Sequence, residues 1–196
     1  MKQTIDKALT YSASAMDLIS DIIQELDGNA GLKVLDITVK DGITRQGFPG
    51  EAQDMELIKV NGIPKTFTGT IVLHEDYMPD VSQEGAVAIF IHEVLHAYIG
   101  KTELITGVKV DDHQTMATEY VGPMADYLQG LFGISEFDAF SLAWSGLTYT
   151  GAYANVSSFD IDGNTYPKDD IIYAAAKYKG RGADGNLLDG KELCDN

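Results

Sequence analysis

His92-Glu93-Val94-Leu95-His96 sets two imidazoles four residues apart, with a carboxylate directly after the first. On a helix, positions i and i+4 share one face, so both rings can reach a single metal ion. Zinc accepts imidazole nitrogen at ~2.0–2.1 Å, and a hydrolytic site keeps one coordination position for water. Glu93 projects about 100° round the helix from His92, so it can face that water without ligating the metal. A bound metal lowers the pKa of water towards ~7, and the glutamate can take the proton; this is the chemistry of H-E-x-x-H hydrolases. The competing reading is a pair of core histidines hydrogen-bonded to their neighbours. The surrounding helix is otherwise apolar, so three unsatisfied polar groups would be costly to bury there, and a metal would satisfy them.

Such a site needs a third protein ligand. His113 lies 17 residues after His96, beyond a connection long enough to reverse the chain. Met116, Ala117 and Tyr120 follow it at i+3, i+4 and i+7, which makes its helical face largely apolar and inward. Glu119 competes with it and would give a site of two histidines and one carboxylate. The spacing leaves both open. Asp111 and Asp112 read as helix caps.

The elements that must hold these residues can be read from periodicity. Gln83–Ile99 is apolar nearly all round and predicts a buried helix, opened by an Asp80/Gln83 capping box and ended at Gly100. A second helix is expected from Asp111 or Asp112 to about Val121, bent or broken at Gly122-Pro123 before Met124–Phe132 continues. Further helices are expected over Ser12–Leu26, stopped by Gly28, over Glu136–Trp144 and over Lys168–Tyr178. Strands are expected at Leu32–Val39, closed by an Asp41-Gly42 turn, and at Thr66–His74, with Asn61-Gly62 a turn before it. Strands first and mostly helices afterwards predict one α+β domain over residues 1–196, with a small, mostly antiparallel sheet packed on helices. The Gly-, Asp- and Asn-rich tail from Gly180 reads as loose.

The bulk composition excludes several classes. With 14 basic and 30 acidic residues the formal charge is −16, which disfavours nucleic acid and anionic membranes as partners. The one cysteine, Cys194, allows neither an intrachain disulfide nor a cysteine zinc ribbon, and reads as a bystander. No apolar run approaches the ~18 residues of a membrane span. No uninterrupted apolar core follows Lys2, so the start does not read as a signal peptide. A cytoplasmic location is the default expectation, with export by a non-classical route left open.

His92-Glu93-Val94-Leu95-His96-Ala97-Tyr98, followed by one downstream histidine in Asp112-His113-Gln114-Thr115-Met116, resembles the SprT-like zinc metallopeptidases. It is more closely similar to SprT-like domains of Bacteroidetes-type bacteria and their phages. These share the strand before the motif (Thr70–Tyr77), the His-Ala-Tyr extension and a Leu-Ala-Trp-x-Gly-Leu segment, here Leu142–Leu147. The resemblance spans roughly residues 66 to 147. It implies a zincin-like fold, one Zn2+ held by His92, His96 and His113, Glu93 as catalytic base, and a protein or peptide substrate. It also implies an open strand edge beside the metal for pairing with substrate, for which Ile71–His74 is the candidate. The DNA-repair role of better-known members does not carry over, because their cysteines and basic charge are missing here.

Other residues carry weaker signals. Tyr98 and Tyr120 could donate to an oxyanion but suit the core equally well. His74 reads as a half-exposed strand residue, Asp160–Asn164 as a turn rather than a calcium loop, and Trp144 as core. The function expected is peptide-bond hydrolysis. The alternatives are a metal-binding interaction module without turnover and a delivered effector peptidase specific for one protein.

Overall fold

The computed structural model describes residues 1–11, 18–26, 35–45 and 47–193. Two helices, α1 (Lys2–Thr10) and α2 (Leu18–Leu26), precede three strands, β1 (Leu35–Gly42), β2 (Gly50–Val60) and β3 (Ile63–His74). A 3-10 turn leads into the long helix α3 (Gln83–Thr106). Next come α4 (Asp112–Thr115), a π-helical turn at Met116–Tyr120, α5 (Val121–Phe132), α6 (Glu136–Ala143) and α7 (Gly151–Ala154). A β4–β5 hairpin (Ser158–Ile161, Asn164–Pro167) and α8 (Lys168–Lys177) complete the order. The α+β class is as expected. The Ser12–Asp17 half of one expected helix, its stop at Gly28, the Leu32–Val34 start of a strand, and Cys194 lie outside the described residues.

The main sheet runs β1-β3-β2 and is mixed: β3 is antiparallel to β2 but parallel to β1, the one parallel pairing among the described strands. The Asn61-Gly62 turn joins β2 and β3 as a hairpin, and β1 pairs with the far side of β3. Two corrections follow. Asp41 and Gly42 pair with Leu73 and His74 inside β1 rather than turning the chain. Ile71–His74 lies in the central strand, so its backbone has no open edge; the edge strand nearest α3 is β2.

α3 is the centre of the core. Val87, Phe90, Ile91, Val94 and Leu95 are all buried on it, against Ile71 and Leu73 of β3, Ile19 and Ile22 of α2, and Met124 and Leu128 of α5. A helix buried on every side loses water all round, which is why its sequence lacks a polar face. It runs past Gly100 and stops at Gly107, whose φ of 75° ends the helix in the left-handed conformation. Its cap is Ser82, not Asp80: the hydroxyl accepts from Gly85 N at 3.1 Å. The wide π turn at Met116–Tyr120 precedes Pro123, which has no N–H to donate, so the expected break becomes a local widening of a continuous helix.

The described residues after Gly180 make several hydrogen bonds to the body of the fold. Both terminal nitrogens of Arg181 donate to Glu192 at 2.7 Å, and Gln83 N and Nε2 donate to the carbonyls of Lys191 and Glu192. Lys191 N donates to the buried carboxylate of Glu84 at 2.9 Å. These bonds seal the N-terminus of α3. Trp144 is core as expected, packed on Phe140, Tyr153 and Phe159, and Asp162-Gly163 is the turn of the β4–β5 hairpin. Among the described residues, no helix is long and apolar enough to cross a membrane.

Ser82 is fully buried. Ser82→Ala is expected to lower stability by about 1 kcal/mol, read as a lower denaturation midpoint at unchanged slope. An unchanged midpoint would mean that the Lys191 and Glu192 clasp suffices to satisfy this helix end.

Candidate metal centre

α3 carries His92 and His96 one turn apart, and the chain reverses after Gly107 so that α4 begins beside them. Ring centroids lie 4.9 Å apart for His92–His96, 5.3 Å for His92–His113 and 4.6 Å for His96–His113. One nitrogen from each ring falls within 4.8 Å of the other two, so the three histidines can hold a metal ion. Glu119 is exposed and outside this group, so among the described residues His113 completes it. Asp111 caps α4 as expected, accepting from Gln114 N at 3.0 Å.

Asp112 does something the sequence reading missed. Its Oδ2 lies 3.0 Å from Nδ1 of His96. A carboxylate there holds the ring with its proton on Nδ1 and leaves Nε2 as the ligating atom. A carboxylate next to a candidate ligand was the available signal, and capping preference hid it.

The donor set fits a borderline divalent ion such as zinc. Burial, and then the neighbouring His96, His113 and Lys179, hold His92 well below its usual pKa. Burial also lowers His96, partly offset by Asp112. Both are therefore neutral at neutral pH, the form that ligates metals. Nδ1 of His92 is sealed from solvent with no hydrogen-bond partner among the described residues, an orphan that calls for a partner.

Glu93 is 7% exposed and stands apart from the three-nitrogen group. Its Oε2 accepts from Ala52 N of β2 at 2.9 Å. The strand can come this close because residue 50 is glycine: a Cβ there would sit 2.8 Å from Glu93 Cγ and 2.9 Å from Ile89 Cγ2. Burial pushes the Glu93 carboxyl up to about 7, with the Ala52 amide opposing and the Glu51 charge adding to the rise. Glu93 can therefore exchange a proton near neutrality.

A cavity of about 630 Å³ opens on this group. Gly50 to Ala52 of β2 line it, as do Ser145, Gly146, Tyr149 and Lys179. Gly146 has a φ of 86°, and a Cβ there would lie 3.1 Å from Cε1 of His92, so the loop after α6 packs directly on that ring. The Tyr149 ring meets His113 edge-on at 5.2 Å. Lys179 Nζ donates to Ser145 Oγ.

No family model, no curated protein and no solved structure matches this chain. The donor set and the cavity are therefore the grounds for a functional reading. Ser145 and Gly146 fall inside the Leu142–Leu147 segment noted above, but nothing in the sequence marked them or Lys179 as lining the site. Tyr98 and Tyr120 are not in the cavity wall. His74 accepts from Asp76 N through Nδ1 at 3.3 Å and lies outside the metal group.

Two outcomes are expected. Asp112→Asn should weaken metal binding by roughly 10–100-fold with the fold intact, as measured by competition with a chromophoric chelator; unchanged affinity would make the His96 contact incidental. In metal-free protein the native Glu93 carboxyl titrates near 7, above its ordinary 4.5. Its stabilising contribution is thus complete below about pH 4.5 and is lost as pH rises through about 7. Relative to Glu93→Gln, the metal-free wild type should lose up to about 3 kcal/mol between pH 5 and 8. A pH-independent difference between the two melting curves would contradict the buried-carboxylate account.

Proposed function

We propose that the chain is a zinc-dependent metallopeptidase in which His92, His96 and His113 hold the metal and Glu93 is the general base. The observation that carries this reading is Glu93: a buried, non-ligating carboxylate beside three clustered imidazoles, with proton affinity raised to near neutrality. A purely structural metal site has no use for such a group. The sequence resemblance to SprT-like peptidases supports the same assignment.

A zinc ion held there supplies Lewis-acid polarisation of water and of the scissile carbonyl. Glu93 takes a proton from the attacking water and later gives it to the leaving amine nitrogen. Asp112 keeps the His96 ring in its ligating orientation. β2 is a sheet edge at the cavity, so an extended peptide can align along it. Phe48 and Tyr149, 54% and 69% exposed at the cavity rim, suit apolar side chains flanking the scissile bond. The substrate class is a protein or peptide; a charge of −16 does not suit nucleic acid.

Purified protein should hold about one zinc per chain. His96→Ala should abolish binding, and His113→Ala should weaken it far more than Glu119→Ala. Glu93→Gln should retain zinc and lose roughly 10²–10⁴-fold in turnover of an unfolded protein such as reduced casein. Metal-free protein from zinc-replete cells would sink the assignment. Equal cleavage by wild type and Glu93→Gln would remove its mechanism.

A further inference from the structure

Lys179, immediately after α8 and its Tyr178 cap, is the one Lys or Arg among the residues lining the cavity. The residue is half-buried, and its ammonium donates to a neutral acceptor, Ser145 Oγ. Among the described residues it forms no ion pair with a carboxylate. An ammonium has three donors, and burying it beside a neutral oxygen alone leaves most of its desolvation uncompensated. Burial accordingly lowers its pKa to about 8, so it still carries its charge at neutral pH. In a chain of net charge −16 with 30 acidic side chains, a cation with no carboxylate partner among the described residues, lining the cavity at the histidines, is an arrangement that favours an anion from outside the chain.

Its position relative to the histidines says which anion. Lys179 is held by Ser145, the residue before Gly146, and Gly146 packs on the edge of the His92 ring. Its charge is felt at His92. The ammonium therefore stands beside the metal group itself, in the cavity that Glu93 and β2 also line. We propose that Lys179 is the electrophilic partner of the reaction, its ammonium hydrogen-bonding the oxyanion that forms on the substrate's scissile carbonyl. This rests on the peptidase reading above. Glu93 takes the proton of water as the water oxygen bonds to the carbonyl carbon, and the C=O π pair moves onto oxygen, where Lys179 meets the new charge. When that pair returns, the C–N bond breaks and the proton held on Glu93 passes to the amine. Lys179 keeps all its protons throughout. Ser145 is a positioning residue: its hydroxyl aims the ammonium.

The test uses inorganic phosphate, a tetrahedral oxyanion without side chains, titrated calorimetrically into zinc-loaded wild type, Lys179→Met and Lys179→Arg. Zinc content is measured on the same samples. Lys179→Met should keep its zinc and its melting temperature, since Met replaces a buried charge at similar volume. It should bind phosphate at least about tenfold more weakly, while Lys179→Arg keeps most of the affinity. On casein, Lys179→Met should lose roughly 10²–10³-fold in kcat with KM little changed. Ser145→Ala leaves the charge in place and should reduce phosphate affinity by a smaller factor, a check that does not depend on Lys179→Met folding. Equal phosphate affinity in wild type and Lys179→Met overturns the proposal. So does a loss confined to KM for peptides with a free carboxylate, which would seat a substrate carboxylate on Lys179 instead. Zinc content and the Glu93→Gln comparison judge the peptidase reading, and phosphate affinity judges Lys179, so the two fail separately.

Discussion

A helix buried on every side has nowhere to put a polar side chain except against a partner. Up to its exposed last turn α3 is such a helix, packed on the sheet, on α2 and on α5, and it nevertheless carries His92, Glu93 and His96 in consecutive turns. Each polar group has dictated something around it. His96 has brought the first turn of α4 close enough for Asp112 to reach Nδ1, and that same turn delivers His113. Glu93 has required a strand with a glycine at the crossing point and a free amide two residues on. His92 has a loop glycine against its ring and a nitrogen without a partner among the described residues. The requirement that buried polar groups be satisfied thus shapes three separate parts of the chain.

The balance at Glu93 illustrates how magnitudes decide the outcome. The Ala52 amide favours the ionised carboxylate, but desolvation is the larger effect, and the carboxyl ends near neutrality rather than in the ordinary range. Two amide bonds would have over-stabilised the anion and made it a poor base; full burial without any bond would have kept it protonated. The histidines show the same competition with opposite sign, because burial disfavours the imidazolium and so prepares the neutral ligand.

What was legible in the sequence is what depends on a single element. The i, i+4 pair, the buried character of α3, the cap at Asp111 and the place of α8 all follow from local spacing. His113 was legible as one of two candidates, and only the return of the chain after Gly107 separates it from Glu119. What depends on several elements was not legible. Whether Ile71–His74 is an edge depends on β1 pairing in parallel from the other side, which no turn signal encodes. Gly100 and Gly107 look alike in sequence; only at Gly107 does the chain leave the helical conformation. Lys179 and Ser145 are separated by 34 residues and meet only because α6 and α8 pack together.

The bond between Ala52 and Glu93 ties the sheet edge to the base by thermodynamic reciprocity. The Ala52 amide lies on the cavity side of β2, where an incoming extended chain would seek its backbone donors. Any carbonyl that takes that amide removes the one bond that lowers the proton affinity of Glu93. Occupation of the edge and basicity of the carboxylate are then coupled: a ligand that captures the amide leaves a stronger base behind it, and protonating the base in turn frees the amide for the ligand. A single backbone hydrogen bond would in this way let the groove and the proton acceptor sense each other's state with no movement of either the helix or the strand.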